Sequence, residues 1–188
     1  DEVAGISFDQ KDGVNIMKGY MASGQFSRGK DNIRADGCIV MVGNFDVDVE
    51  QQQKIGHLLS PMPREMRDDT AFMDRIHSFA PGWDFPKVSP DEHLSDHFGL
   101  VSDFLSECWS RLRTGNRLPS LQGRVYLGGA LSGRDIEATN KTMNGLIKLL
   151  FPDPNMPICD EDIEWIVRLA LESRRRVKEQ QKRVFKSE

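Results

Sequence analysis

The stretch Cys38-Ile39-Val40-Met41-Val42-Gly43-Asn44-Phe45-Asp46 decides the fold. It is a short run rich in Ile and Val that stops abruptly at a glycine and an amide. Apolar runs of this length bounded by turn residues read as buried strands of a parallel sheet. Open α/β sheets place their chemistry beyond the carboxyl ends of such strands, so Asn44 occupies a ligand-facing position. Taken alone, the same Asn44 reads as a simple turn amide.

Before that strand the pattern is mixed. Gly13, Gly19, Gly24 and Gly29 limit any helix there to about two turns. Gly24-Gln25-Phe26-Ser27-Arg28-Gly29 reads as a hairpin or exposed loop. The chain opens on the acidic pair Asp1-Glu2, which reads either as the end of a strand cut short or as two solvated carboxylates. After the strand, Lys54 to Leu59 is weakly helical until Pro61 and Pro63 stop it. Asp68 or Asp69 then caps a short helix running into Arg75, and Ile76-His77-Ser78-Phe79 reads as a second strand.

Three parts emerge: an α/β part over 1–82, a proline-broken connector over 83–95, and a helical part over 96–188. In the last part, Phe98, Val101, Leu105 and Trp109 recur at helical steps between Asp96 and Arg113, with Leu112 closing the stripe. Ser132 caps a second helix, with Asp135 three residues on completing a variant of the capping box. Its apolar stripe is Ile136, Met143, Ile147 and Leu150. A final helix starts at Asp160 with acidic residues in its first turn and runs into a basic tail, an order that suits the helix dipole.

Composition narrows the class. An apolar fraction of 38%, a charged fraction of 29% and a net charge of −4 fit a soluble globular chain, and no apolar run is long enough to suggest a membrane span. Three distant cysteines, Cys38, Cys108 and Cys159, argue for a reducing, cytoplasmic setting and against disulfides or a zinc site.

Several stretches offer chemistry and weaken on inspection. Gly128 to Asp135 has the glycine spacing of a phosphate-binding loop, but Arg134 replaces the lysine and Asp135 the magnesium-ligating hydroxyl. His93 and His97 stand four apart, yet the glutamate of the metalloprotease motif is missing because Leu94 follows His93. The basic run from Arg174 to Arg183 reads as a solvated helix end or, in an alternative reading, as part of a helical nucleic-acid-binding or interaction module without its own catalysis.

The order of these parts resembles the back half of an AAA+ ATPase: an acidic pair, a strand ending in asparagine, an arginine after a short helix, and an arginine opening a later helix. More narrowly, Gly24 to Gly29, Ile39 to Asp46, Asp69 to Ile76 and Leu131 to Glu137 are similar to the Lon-protease-like family of the BREX phage-defence systems. The resemblance covers nearly the whole chain. It implies the α/β fold class of the C-terminal half of an AAA+ core, a partial parallel sheet with helices, followed by an α-helical lid bundle.

It also implies roles. Asp1 would close the Walker B strand and help hold Mg2+, Glu2 would polarise the attacking water, and Asn44 would be sensor 1. Arg75 would be the arginine finger reaching a neighbouring subunit's site, with Arg64 and Arg67 as the other finger candidates, and Arg134 would be sensor 2. Such a set suits phosphoryl transfer, which needs positioning and compensation of developing charge. The implied cofactors are ATP and Mg2+. The implied partners are further copies in a ring, DNA, and other BREX defence proteins. No phosphate-binding loop precedes the acidic pair, so the segment alone is not expected to bind ATP tightly. The Lon-type serine–lysine dyad is not visible in the sequence.

Overall fold

The computed structural model describes Val3 and residues 11–185. The chain divides into two compact units, one made of Asp1–His77 with Arg175–Glu188, the other of Ser78–Arg174.

The first unit begins with helix α1, Lys11–Ser23. It runs 13 residues, longer than the two turns its glycines predict, because tertiary packing overrides their low propensity. Val14 is buried, and Lys18, one turn further along the same face, reaches Asp69 Oδ2 with its Nζ at 2.6 Å. Gly24, at φ 70°, ends the helix by donating its N–H to Tyr20 O.

The hairpin expected next is present. Strands β1 (Gln25–Arg28) and β2 (Asp31–Arg34) pair antiparallel, with Phe26 opposite Ile33. The two-residue turn starts at Gly29, whose φ of 64° matches the right-handed twist of a tight hairpin. Tyr20 packs edge-on against Phe26 with ring centroids 6.1 Å apart, which ties the hairpin to α1.

The parallel sheet expected from Ile39–Asn44 and Ile76–Phe79 is corrected. Among the described residues this hairpin is the whole of the β structure. Residues 39–45 keep the alternation of a strand, with Ile39, Met41 and Phe45 half-buried while Val40 and Val42 are exposed. Among the described residues this segment receives one backbone bond, from Val3 N–H to Val42 O at 2.8 Å. Ile76 is instead held in a turn by Met73 O, and Phe79 donates to Ser173 O at the end of a helix turn.

Helices α2 (Val49–Ile55), α3 (Arg64–Arg67) and α4 (Thr70–Met73) complete this part of the chain. The first lies upstream of the weakly helical Lys54–Leu59 because Asp48 caps it, accepting from Gln51 N. Asp69 caps α4 as expected, accepting from Phe72 N at 2.9 Å. Met66, Phe72 and Met73 form the buried floor. The final helix from Arg175 onward belongs here: Gln180 Oε1 accepts from the buried Leu58 N at 2.7 Å, and Lys178 Nζ reaches Asp74 Oδ1 at 3.1 Å.

The second unit opens with a 3-10 turn, Gly82–Asp84, then helices α5 (Pro90–His93) and α6 (Ser102–Leu112). The predicted apolar stripe of this helix is not buried: Phe98, before the helix, is fully solvent-exposed and Trp109 is 52% exposed. Helix α7, Gly133–Leu150, starts where Ser132 predicts, and α8, Asp160–Val184, starts at the predicted acidic turn. Met143 and Ile147 of α7 pack with Leu121, Ile158 and the α8 residues Ile163, Ile166 and Ala170 into one core. Of the predicted α7 stripe, Leu150 lies outside this core and is about half exposed. No helix among the described residues is long and apolar enough to cross a membrane.

Candidate functional site

Asn44 stands exposed at the tip of the extended 39–45 segment. Gly43 beside it is packed so closely that a Cβ there would lie 2.9 Å from Val3 Cγ1. Together with the Val3–Val42 bond, this contact brings the third residue of the chain against the base of the Asn44 tip. Asp1 and Glu2 lie outside the described residues.

The three finger candidates have different surroundings. Arg75 follows α4, and its guanidinium turns back so that Nη1 donates to Ala71 O at 2.6 Å, leaving Nε buried without a hydrogen-bond partner. A buried guanidinium N–H lacking an acceptor costs free energy, which makes this pose a poor resting place for the side chain. Arg67 donates to Ser60 O and also faces Asp68. Arg64 is largely exposed in an i,i+4 pair with Asp68, a surface arrangement of little energetic weight.

Arg134 belongs to the second unit, at the second position of α7, and is half-buried. The first turn around it is closely specified. Asp135 Oδ2 accepts from both Ser132 N at 3.0 Å and Ser132 Oγ at 2.6 Å, while Ser132 Oγ accepts from Asp135 N at 3.3 Å. This closes the capping box that the sequence predicts. The other carboxylate oxygen, Oδ1, receives Arg174 Nε at 2.8 Å, and Arg174 is only 3% exposed. Burial pushes the Asp135 carboxyl up, but the hydrogen bonds from Ser132 and Arg174 and the Arg174 charge outweigh it, holding the group below its ordinary range. With this carboxylate occupying the helix start, the Gly128–Asp135 stretch is a capped turn rather than an open cradle for phosphate.

Arg174 and Lys178 are residues that the sequence reading placed in a solvated basic tail. The signal for Arg174 was available. Ile163, Ile166, Ala170, Arg174 and Val177 recur at three- and four-residue steps, so the arginine interrupts an otherwise apolar stripe, and all five are buried. Two more cations of the tail are engaged as well: Arg175 pairs with Glu179, and Arg183 donates to Gln53 O at 3.1 Å. His93 accepts from Ser89 N at 2.8 Å and so serves the short α5 turn.

The chain belongs to the family of Lon-like protease BrxL-like ATPase domains, whose model it matches over residues 1–188. Among its relatives is the Lon-like protease BrxL of Bacillus cereus (strain H3081.97), 44% identical over 184 residues, which cover 98% of this chain and 27% of the relative. The Lon-like protease BrxL of Escherichia coli O9:H4 (strain HS) is 45% identical over 184 residues, covering 98% of this chain and 26% of the relative. The chain thus spans about a quarter of the length of the relatives it matches.

Proposed function

We propose that this chain forms the second half of the ATP-hydrolysing core of an AAA+ ring protein that acts in bacterial phage defence. Residues 1–82 supply the Walker B end, sensor 1 and arginine finger, and 96–188 supply a lid with sensor 2. The observation that carries the reading is the hydrogen bond from Val3 N to Val42 O. It joins the residue that follows the acidic pair to the segment that ends in Asn44. Hydrolysis needs that neighbourhood, because the carboxylate that polarises water and the amide that orients it must address the same oxygen.

The residue chemistry fits a nucleotide with its metal. ATP carried on Mg2+ supplies the phosphoryl group, and hard oxygen donors such as Asp1 suit that ion. In this reading Glu2 polarises the attacking water and Asn44 orients it. Arg134 faces the γ-phosphate from the lid. Arg75 leaves its Ala71 carbonyl and moves to a neighbouring copy's phosphates, where its unpartnered Nε gains an acceptor.

The test is ATP turnover by the full-length protein. Glu2→Gln and Arg75→Ala are each expected to lower kcat by about 10³-fold, the scale of removing a water-activating group or an arginine finger. Mixing the two inactive variants is expected to restore turnover, because some sites then combine an intact glutamate with an intact arginine. Unchanged turnover in both variants rejects the roles, and absent complementation rejects the shared site.

A further inference from the structure

The Asp135–Arg174 pair calls for an explanation beyond stability. Both partners lie almost entirely out of water, with side-chain exposures of 3% for Arg174 and 10% for Asp135. Taking two charges out of water is costly, and well-packed apolar residues of the same volume often hold two helices together as firmly. The neighbouring positions of α8 are apolar already: Ala170 and Val177 are fully buried. What the ion pair adds over an apolar contact is direction, because an arginine–carboxylate bond fixes angle as well as distance.

That direction is delivered to one residue. The Asp135 carboxylate is tied on Oδ2 to the cap at Ser132 and on Oδ1 to Arg174 of another helix. The cap sets where α7 begins, and the bond to Arg174 sets how α7 is rotated about its axis. Consecutive residues of a helix differ by about 100° in azimuth, so fixing Asp135 fixes the departure angle of Arg134. A long arginine side chain loses much rotamer entropy when ordered, and a functional group must be held within about 0.5 Å of its productive place.

We propose that Asp135 and Arg174 are positioning residues for Arg134, aiming its guanidinium at the phosphate of the bound nucleotide. The inference rests on the reading of Arg134 as the lid's phosphate sensor.

The experiment measures steady-state ATP hydrolysis by the full-length protein for Arg134→Ala, Arg174→Met, the double variant and Arg174→Lys, with thermal unfolding of each. Arg134→Ala is expected to lower kcat/KM by about 10- to 100-fold, and Arg174→Met by at least about tenfold, the scale of misplacing a group by an ångström. The double variant is expected to be no worse than Arg134→Ala alone, since a misaimed residue that is already absent costs nothing more. Arg174→Lys keeps the charge and is expected to recover part of the loss. If Arg174→Met does not fold, Arg174→Lys combined with Arg134→Ala is read in the same way.

Losses that multiply in the double variant, or an Arg174→Met enzyme with wild-type kcat and KM, overturn the positioning role and leave Arg134 as the sensor. Wild-type turnover in Arg134→Ala overturns the sensor reading itself, and the positioning role with it.

Discussion

Helices α6 and α8 carry similar apolar stripes into different surroundings. In α8, Ile163, Ile166 and Ala170 are each 5% exposed or less. Around α6, Val101, Leu105 and Trp109 stand at helical four-residue steps, yet Val101 and Trp109 are more than half exposed. The difference lies in what faces each stripe. Helix α7 offers Met143 and Ile147 to α8, and the two stripes close on each other. Helix α6 is held by polar contacts beyond its end: Lys148 Nζ donates to Arg113 O at 2.8 Å, and Asn144 Oδ1 accepts from Arg117 N at 2.7 Å. Periodicity specifies that a helix has an apolar face. It does not specify that a partner is present to cover it.

The largest effect is expected where the α7–α8 contact holds a charge. Asp135→Ala removes a carboxylate that the buried Arg174 is bonded to, and breaking a buried pair in this way costs about 4 kcal/mol. Urea unfolding of the chain at pH 7 measures the loss. The dependence on pH has a defined sign. The Asp135 carboxyl lies below its ordinary value of 3.8 in the folded state, so its contribution is full above that value. It is lost as pH falls through the lower folded value, so the gap between wild type and Asp135→Ala should narrow only in that acid window. A gap that stays constant down to about pH 2 would mean that the carboxylate contributes nothing through its charge.

An intermediate effect is expected from the apolar part of the same contact. Ile166 is fully buried in the core, and Ile166→Ala should cost about 3 kcal/mol through lost transfer energy and the cavity left behind. A cost below about 1 kcal/mol would show that α8 can collapse into the gap, and that the core of the second unit is looser than its burial indicates.

The same contrast explains what was legible in the sequence. Local signals were reliable: Asp69 and Ser132 cap the helices they predict, the acidic first turn of α8 marks its start, and Gly24 and Gly29 frame the hairpin. These depend on the chain within a few residues. Signals that depend on distant partners were not. The Ile39–Asn44 run has the composition of a buried strand, but strand pairing is a property of neighbours, and among the described residues the backbone bond it receives is the one from Val3 to Val42. Arg174 was hidden for the opposite reason. It reads as the start of a basic run, although its place in the helical stripe marks it as buried. Placement that depends on local features, such as Arg134 at the start of α7, was therefore readable. The carboxylate–arginine contact beside Arg134 links residues 39 apart in sequence and was not.

The smallest effect is expected at α6, and it is the sharper test because it turns on an absence. If the α6 stripe is open to water, Trp109→Gln exchanges one solvated side chain for another and should change stability by no more than about 0.5 kcal/mol. The indole spectrum gives an independent reading, since Trp109 is 52% exposed and should contribute emission typical of a wet indole. A covered stripe predicts otherwise: burying a side chain of that size contributes about 2 kcal/mol, and the emission lost on substitution would be that of a dry indole. A stability loss above about 1 kcal/mol together with blue-shifted lost emission would therefore show that α6 closes its apolar face in solution, and the contrast with α8 would be one of degree.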